Sequence, residues 1–184
     1  QITKFKFDPH DTPYMPLNAI KFNDKIITAE IFKDGSGGQV VMANAADFSG
    51  RTIITAAGVP AGLAVSGDDV YVSDYFLGTV NRIIKDGKPL AEAENVLKDL
   101  IQPEGIVFDS EGNLFVVETG TRKVLKYNIE KAELTTIADG LELSITGIPG
   151  MAPNVFLNDI TIDKDGNLYT AGDVKNVIYK IKKN

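Results

Sequence analysis

The sequence predicts an all-β chain, a β-propeller with four four-stranded antiparallel blades. Two observations carry this reading. A self-similar segment recurs four times, as Pro16–Phe22, Pro60–Val65, Pro103–Asp109 and Leu157–Asp163. Its equivalent positions Asn18, Ala61, Glu104 and Asn158 lie 43, 43 and 54 residues apart in turn. A period near 40–45 residues is what one propeller blade requires. No stretch shows helical periodicity for more than a turn or two.

Each recurrence runs through the same strand pattern. The opening strand ends in a turn at Asn23-Asp24, Gly67–Asp69, Asp109–Asn113 or Asp163–Asn167, where Asp, Gly and Asn tolerate the positive φ of tight hairpins. Second strands follow at Lys25–Ala29, Val70–Ser73, Leu114–Val117 and Leu168–Ala171. They are rich in β-branched and aromatic residues, as buried strands are. Third strands read at Gln39–Ala43, Thr79–Ile83, Lys123–Tyr127 and Asn176–Lys180, and outer strands at Arg51–Thr55, Asn95–Leu97 and Glu133–Ile137.

The expected domain is therefore one propeller over 1–184, with blades near 14–58, 59–101, 102–154 and 155–184 plus an N-terminal strand in 1–8. The fourth repeat ends after its third strand, and Ile2–Phe7 reads as a spare strand. Two arrangements fit. Either Ile2–Phe7 completes the fourth blade and closes a four-bladed ring, or the chain is the C-terminal part of a six-bladed propeller. A chain that opens at Gln1 without an initiator Met reads as a processed protein or a piece of a longer one.

Composition narrows the function classes. A hydrophobic content of 43% with 24% charge is that of a folded globular chain. A net charge of −6 speaks against a nucleic-acid partner, which calls for a basic face. No apolar run is long enough for a membrane helix. With no cysteine there is neither disulfide nor thiolate chemistry, which fits several compartments; of these an extracellular or periplasmic address is favoured. The lysines at 4, 6, 180, 182 and 183 read as edge-strand charges that discourage sheet-to-sheet association.

The phrases Gln102-Pro-Glu-Gly-Ile-Val-Phe-Asp-Ser-Glu-Gly-Asn-Leu-Phe-Val-Val-Glu118 and Asn158-Asp-Ile-Thr-Ile-Asp-Lys-Asp-Gly-Asn-Leu-Tyr169 resemble NHL repeats. They are also similar to the blades of the gluconolactonase and regucalcin superfamily. The shared pattern encodes turns and packing, so it specifies a blade better than an activity. In lactonases of that superfamily a divalent cation, often calcium, sits at the mouth of the central channel on Glu, Asn and Asp side chains. The matching positions here are Asn18, Ala61, Glu104 and Asn158, with Asp159 one place further in. The resemblance thus implies Ca²⁺ or another divalent cation on Glu104, Asn158 and Asn18, and a ligand site formed by Asn18, Glu104, Asn158 and Asp159. Oxygen donors suit such a cation, but Ala61 offers none and the order of donors departs from the superfamily's.

Other residues read as structural. The acidic turns 109–113 and 163–167 lack the spacing of an EF-hand loop and read as hairpins. Glu30, Asp74 and Glu118 recur after the second strand, where the resemblance implies that they anchor the next turn through backbone amides. The lone His10 has no Ser or Cys partner in a fixed pattern, and no phosphate loop or zincin motif is present. The connector 139–156 precedes an inner strand, and its Ile148 and Met151 read as packing residues near the channel mouth. The functional expectation is a binding module that takes a protein, glycan or small-molecule ligand on its channel loops. The alternatives are a metal-dependent lactonase or hydrolase, and a subunit that pairs its edges with another chain.

Overall fold

The computed structural model describes residues 14–143 and 158–183, which hold fifteen strands and no helix. The first blade comprises β1 (Tyr14–Phe22), β2 (Lys25–Phe32), β3 (Gly38–Asn44) and β4 (Thr52–Ala57). The second holds β5 (Pro60–Ser66), β6 (Asp69–Asp74), β7 (Thr79–Lys85) and β8 (Lys88–Leu97). The third holds β9 (Pro103–Phe108), β10 (Asn113–Glu118), β11 (Lys123–Asn128) and β12 (Glu133–Ala138). The fourth holds β13 (Ile160–Ile162), β14 (Leu168–Gly172) and β15 (Val177–Ile181). Every sheet is an antiparallel meander in chain order, so the four sheets are the four blades of a propeller.

The core is divided among the seams between blades. Phe22, Ile27, Ala29 and Val40 of the first blade pack on Leu63, Val70, Val72 and Ile83 of the second. Ala64, Tyr71 and Val80 of the second meet Ile106, Leu114, Val116 and Leu125 of the third. Phe115, Val117 and Val124 of the third meet Ile160 and Leu168 of the fourth. The run Leu114-Phe-Val-Val117 thus sends alternate side chains into different seams, which is why it is apolar without a break. Burying one such side chain stabilises the fold by about 1.5–3 kcal/mol. Among the described residues no core cluster joins the fourth blade to the first.

Inner strands approach so closely that some positions exclude a side chain. A Cβ on Gly62 would stand 2.4 Å from the Glu104 carbonyl oxygen, and one on Gly105 would stand 2.6 Å from Asp159 Cα. The contact at Gly105 is sealed by its N–H, which donates to the Asn158 carbonyl at 3.1 Å.

Two sequence expectations need correction. The outer strand of the second blade begins at Lys88, well ahead of Asn95. Asp86 and Gly87, at φ 49° and 75°, form a tight two-residue turn that starts β8 directly after β7. The intervening Lys-Pro-Leu-Ala-Glu-Ala-Glu has little strand propensity, so pairing with β7 rather than composition makes it a strand. Glu30 also differs from its two counterparts, because its described partners are side chains. Thr28 Oγ1 and Gln39 Nε2 donate to it at 2.8 and 3.0 Å, and Arg51 pairs with it at 2.9 Å. The strand expected in Ile2–Phe7, His10, and Ile148 and Met151 lie outside the described residues. The acidic turns are hairpins. Asp163 accepts the N–H groups of Asp165 and Asn167, the Asn167 carboxamide and the Tyr169 hydroxyl.

Candidate functional site at the channel mouth

The ladder of each of the first three blades slips at the start of its inner strand. In β1 the register shifts between Pro16 and Asn18, and in β5 between Pro60 and Leu63. In the third blade it shifts where Val116 and Glu118 face Ile106 and Pro103. A slip of this kind leaves residues out of the ladder and re-aims their side chains. The residues released are Leu17, Ala61 with Gly62, and Glu104 with Gly105. In the fourth blade Asn158 and Asp159 precede the paired part of β13.

These positions converge. A cavity of about 200 Å³ is lined by Leu17, Asn18, Ala61, Gly62, Glu104, Gly105, Asn158 and Asp159. The structure therefore brings together all four residues named from the sequence, Asn18, Glu104, Asn158 and Asp159. Among the described residues no Lys or Arg lines the cavity.

Glu104 is 2% exposed, and the side chain and backbone of Asn158 and the Thr119 hydroxyl are hydrogen-bonded to it. The Asn158 backbone N–H donates to Oε2 at 3.2 Å. Thr119 Oγ1 lies 3.2 Å from Oε1 and 2.9 Å from the Gln102 carbonyl, so one hydroxyl proton serves two acceptors. Burial pushes the Glu104 carboxyl up to about 7, against the pull of Asn158 and Thr119 and with a further push from the Asp173 carboxylate. Its backbone is fixed from the second blade. Ser73 Oγ accepts the Gly62 N–H at 2.7 Å and donates to the Glu104 carbonyl at 2.5 Å.

Asn158 is 5% exposed, and among the described residues its buried Oδ1 has no hydrogen-bond partner. An orphaned buried acceptor costs on the order of 1–3 kcal/mol. Asp159 is open to solvent as a residue, yet partial desolvation raises its carboxyl and its own Ile160 N–H supplies the bond that opposes this. Thr119 and Ser73 were not legible as site residues, because their contacts with Glu104 span 15 and 31 residues of sequence.

The sequence matches no protein-family model and no curated protein. Solved structures match it across nearly its whole length. Luciferin-regenerating enzyme is 16% identical with a TM-score of 0.71, over 95% of this chain and 63% of that one. A calcium-binding regucalcin of Agrobacterium tumefaciens is 14% identical with a TM-score of 0.64, over 86% and 57%. A catalytically inactive virginiamycin B lyase of Staphylococcus aureus with quinupristin is 14% identical with a TM-score of 0.66, over 96% and 55%. The likeness is one of fold. The chain shares the propeller of regucalcin-like and virginiamycin B lyase-like structures and spans between 55% and 63% of the length of these three.

Glu104, Asn158, Asn18 and Asp159 each bring an oxygen ligand of the type that a hard cation takes, and Asn158 Oδ1 has no partner among the described residues. Among the described residues, however, no three His, Cys, Asp or Glu side chains form a cluster that holds a metal. The residues fit a cation by chemistry while supplying little negative charge.

Proposed function

We propose that this propeller is a binding module whose channel mouth takes a cationic or hydrogen-bond-donating group of its ligand. The observation that carries the reading is the Asn158 Oδ1, buried with no partner among the described residues, beside a Glu104 carboxyl that burial raises despite its bonds to Asn158 and Thr119. Both groups line a cavity whose described residues include no Lys or Arg, and a donor or cation from outside would offset the burial of both. Calcium chloride and n-butylammonium are suitable probes, because binding to the native state alone must raise Tm. At least one of them is expected to raise Tm with saturation, and Glu104→Gln to abolish the rise. No rise with either probe up to 50-millimolar order (about 10² times a weak Kd) sinks the reading.

A metal-dependent lactonase is the second reading, favoured by the oxygen donor set and by the fold shared with a calcium-binding regucalcin. Glu104, Asn158 and Asn18 would hold the cation, which would polarise a lactone carbonyl and acidify water. Calcium-dependent hydrolysis of a simple lactone, lost in Glu104→Gln, distinguishes it from binding alone.

A further inference from the structure

Beside the cavity, on the same end of the blades, the chain leaves large apolar side chains in solvent. Phe76 is 69% exposed, Leu77 64% and Ile101 54%. Their loops are joined, because the Leu100 N–H donates to the Gly78 carbonyl at 3.0 Å. They also abut the site. The Phe76 ring lies 5.7 Å from that of Tyr75, which packs on Ala61 in the cavity wall. The Ile101 N–H donates to Glu118, and Ile101 lies against Gly120, next to the Thr119 that bonds Glu104.

The fold does not ask for these side chains. The loop after the second strand turns at Gly78, Arg122 and Asn176 in successive blades, all at φ between 53° and 64°. Aligned on that residue, Phe76 corresponds to Gly120 and Val174, and Leu77 to Thr121 and Lys175. The same turn forms with glycine and threonine, and with a smaller valine 41% exposed in the fourth blade, so the fold does not require a phenylalanine and a leucine there.

We propose that this apolar rim and the acidic cavity form one docking surface for a loop of a partner protein carrying a lysine or arginine between apolar residues. The inference rests on the proposed binding role of the channel mouth and names the partner's chemistry. A hydrogen-bond-donating cation suits this lining, whose described residues bring the Asn158 Oδ1 acceptor beside Glu104 and Asp159 and include no Lys or Arg. A cavity of about 200 Å³ accommodates one long basic side chain. A bare metal ion or a small ligand confined to that volume leaves Phe76 and Leu77 wet, whereas a peptide backbone spanning the mouth covers them. Exposed aromatic and aliphatic residues beside a charge-selective pocket have the composition of an interface centre.

The test is fluorescence anisotropy on the full chain with a labelled peptide of leucine–lysine–leucine in a glycine–serine frame. A norleucine-centred peptide and n-butylammonium serve as controls. The lysine peptide is expected to bind at least about tenfold more tightly than either control, a difference on the scale of one interface hot spot. The Phe76→Ser, Leu77→Ser double variant is expected to lose that tenfold while keeping its affinity for n-butylammonium and its Tm. If n-butylammonium binds through Glu104 but the peptide binds no more tightly, the partner inference falls and the channel-mouth reading stands. If neither binds, both fall. If the double variant loses several degrees of Tm, the rim is covered by the chain's own residues and the inference is overturned.

Discussion

Asp74 and Glu104 belong to neighbouring inner regions of the second and third blades, and both are at most 2% exposed. Their carboxylates are treated in opposite ways. Asp74 accepts four backbone N–H groups, from Gly58, Val59, Phe76 and Leu77, at 2.7 to 3.1 Å. It ties the entry of β5 to the loop after β6. Glu118 does the same one blade on, through Ile101 N–H and the Thr121 hydroxyl. Glu104 receives the Asn158 side chain, the Asn158 backbone N–H and a hydroxyl proton shared with a carbonyl at 3.2 Å, yet desolvation still raises its carboxyl to about 7. A carboxylate solvated by four N–H groups holds the fold together. One whose carboxyl burial raises, despite three hydrogen bonds, weakens the fold wherever it ionises.

Removing the well-satisfied acid is expected to have the largest effect. Asp74→Ala strands four buried or half-buried N–H groups and is expected to cost about 3 kcal/mol or more in urea unfolding. A cost below about 1 kcal/mol would erase the contrast with Glu104.

Glu104→Gln is expected to do the reverse at alkaline pH. The folded carboxyl titrates near 7 against an ordinary value of 4.5, so the native state holds its proton more tightly than the unfolded chain does. Stability from this group is therefore full below about 4.5 and falls as pH rises toward 7, then levels off. The shift corresponds to roughly 3 kcal/mol as an upper bound. Glu104→Gln, which cannot ionise, is expected to be more stable than the wild type at pH 8 by about 2 kcal/mol and close to it at pH 5. Parallel curves at the two pH values would place Glu104 among the satisfied acids.

The smallest effect is expected at the fourth-blade hairpin. Asp163 is held down at about 2, first by Asn167 and with help from the Tyr169 hydroxyl. Its contribution is present above the ordinary value of 3.8 and is lost as pH falls through about 2. Tyr169→Phe removes one donor of several and is expected to lower Tm by about 2 °C at neutral pH, less near pH 2.

What was legible in the sequence follows the range of the forces involved. The four repeats and their hairpins were legible because Asp-x-x-Gly-Asn turns and β-branched runs act within a few residues. Pro-x-Gly at 103–105 marked the inner strand and its mouth-facing residue, although the register slip that turns Glu104 inward appears only once β9 pairs with β10. The start of β8 was not legible, since Ala, Glu and Pro become strand only against β7, whereas its end at Leu97 was. Nor were Thr119 and Ser73, whose roles depend on which blade lies beside them. Nothing in the local sequence of Phe76 and Leu77 marks them as exposed, and only the folded chain shows them in water.

The most direct measurement is the titration of the Glu104 side-chain carboxyl by carbon-13 NMR, with Glu104→Gln assigning the signal. A midpoint near 7 in the free protein, falling when calcium or n-butylammonium saturates the site, is the result expected here. A midpoint near the ordinary 4.5, unmoved by either probe, would show a carboxylate already satisfied by its own fold and would contradict the account.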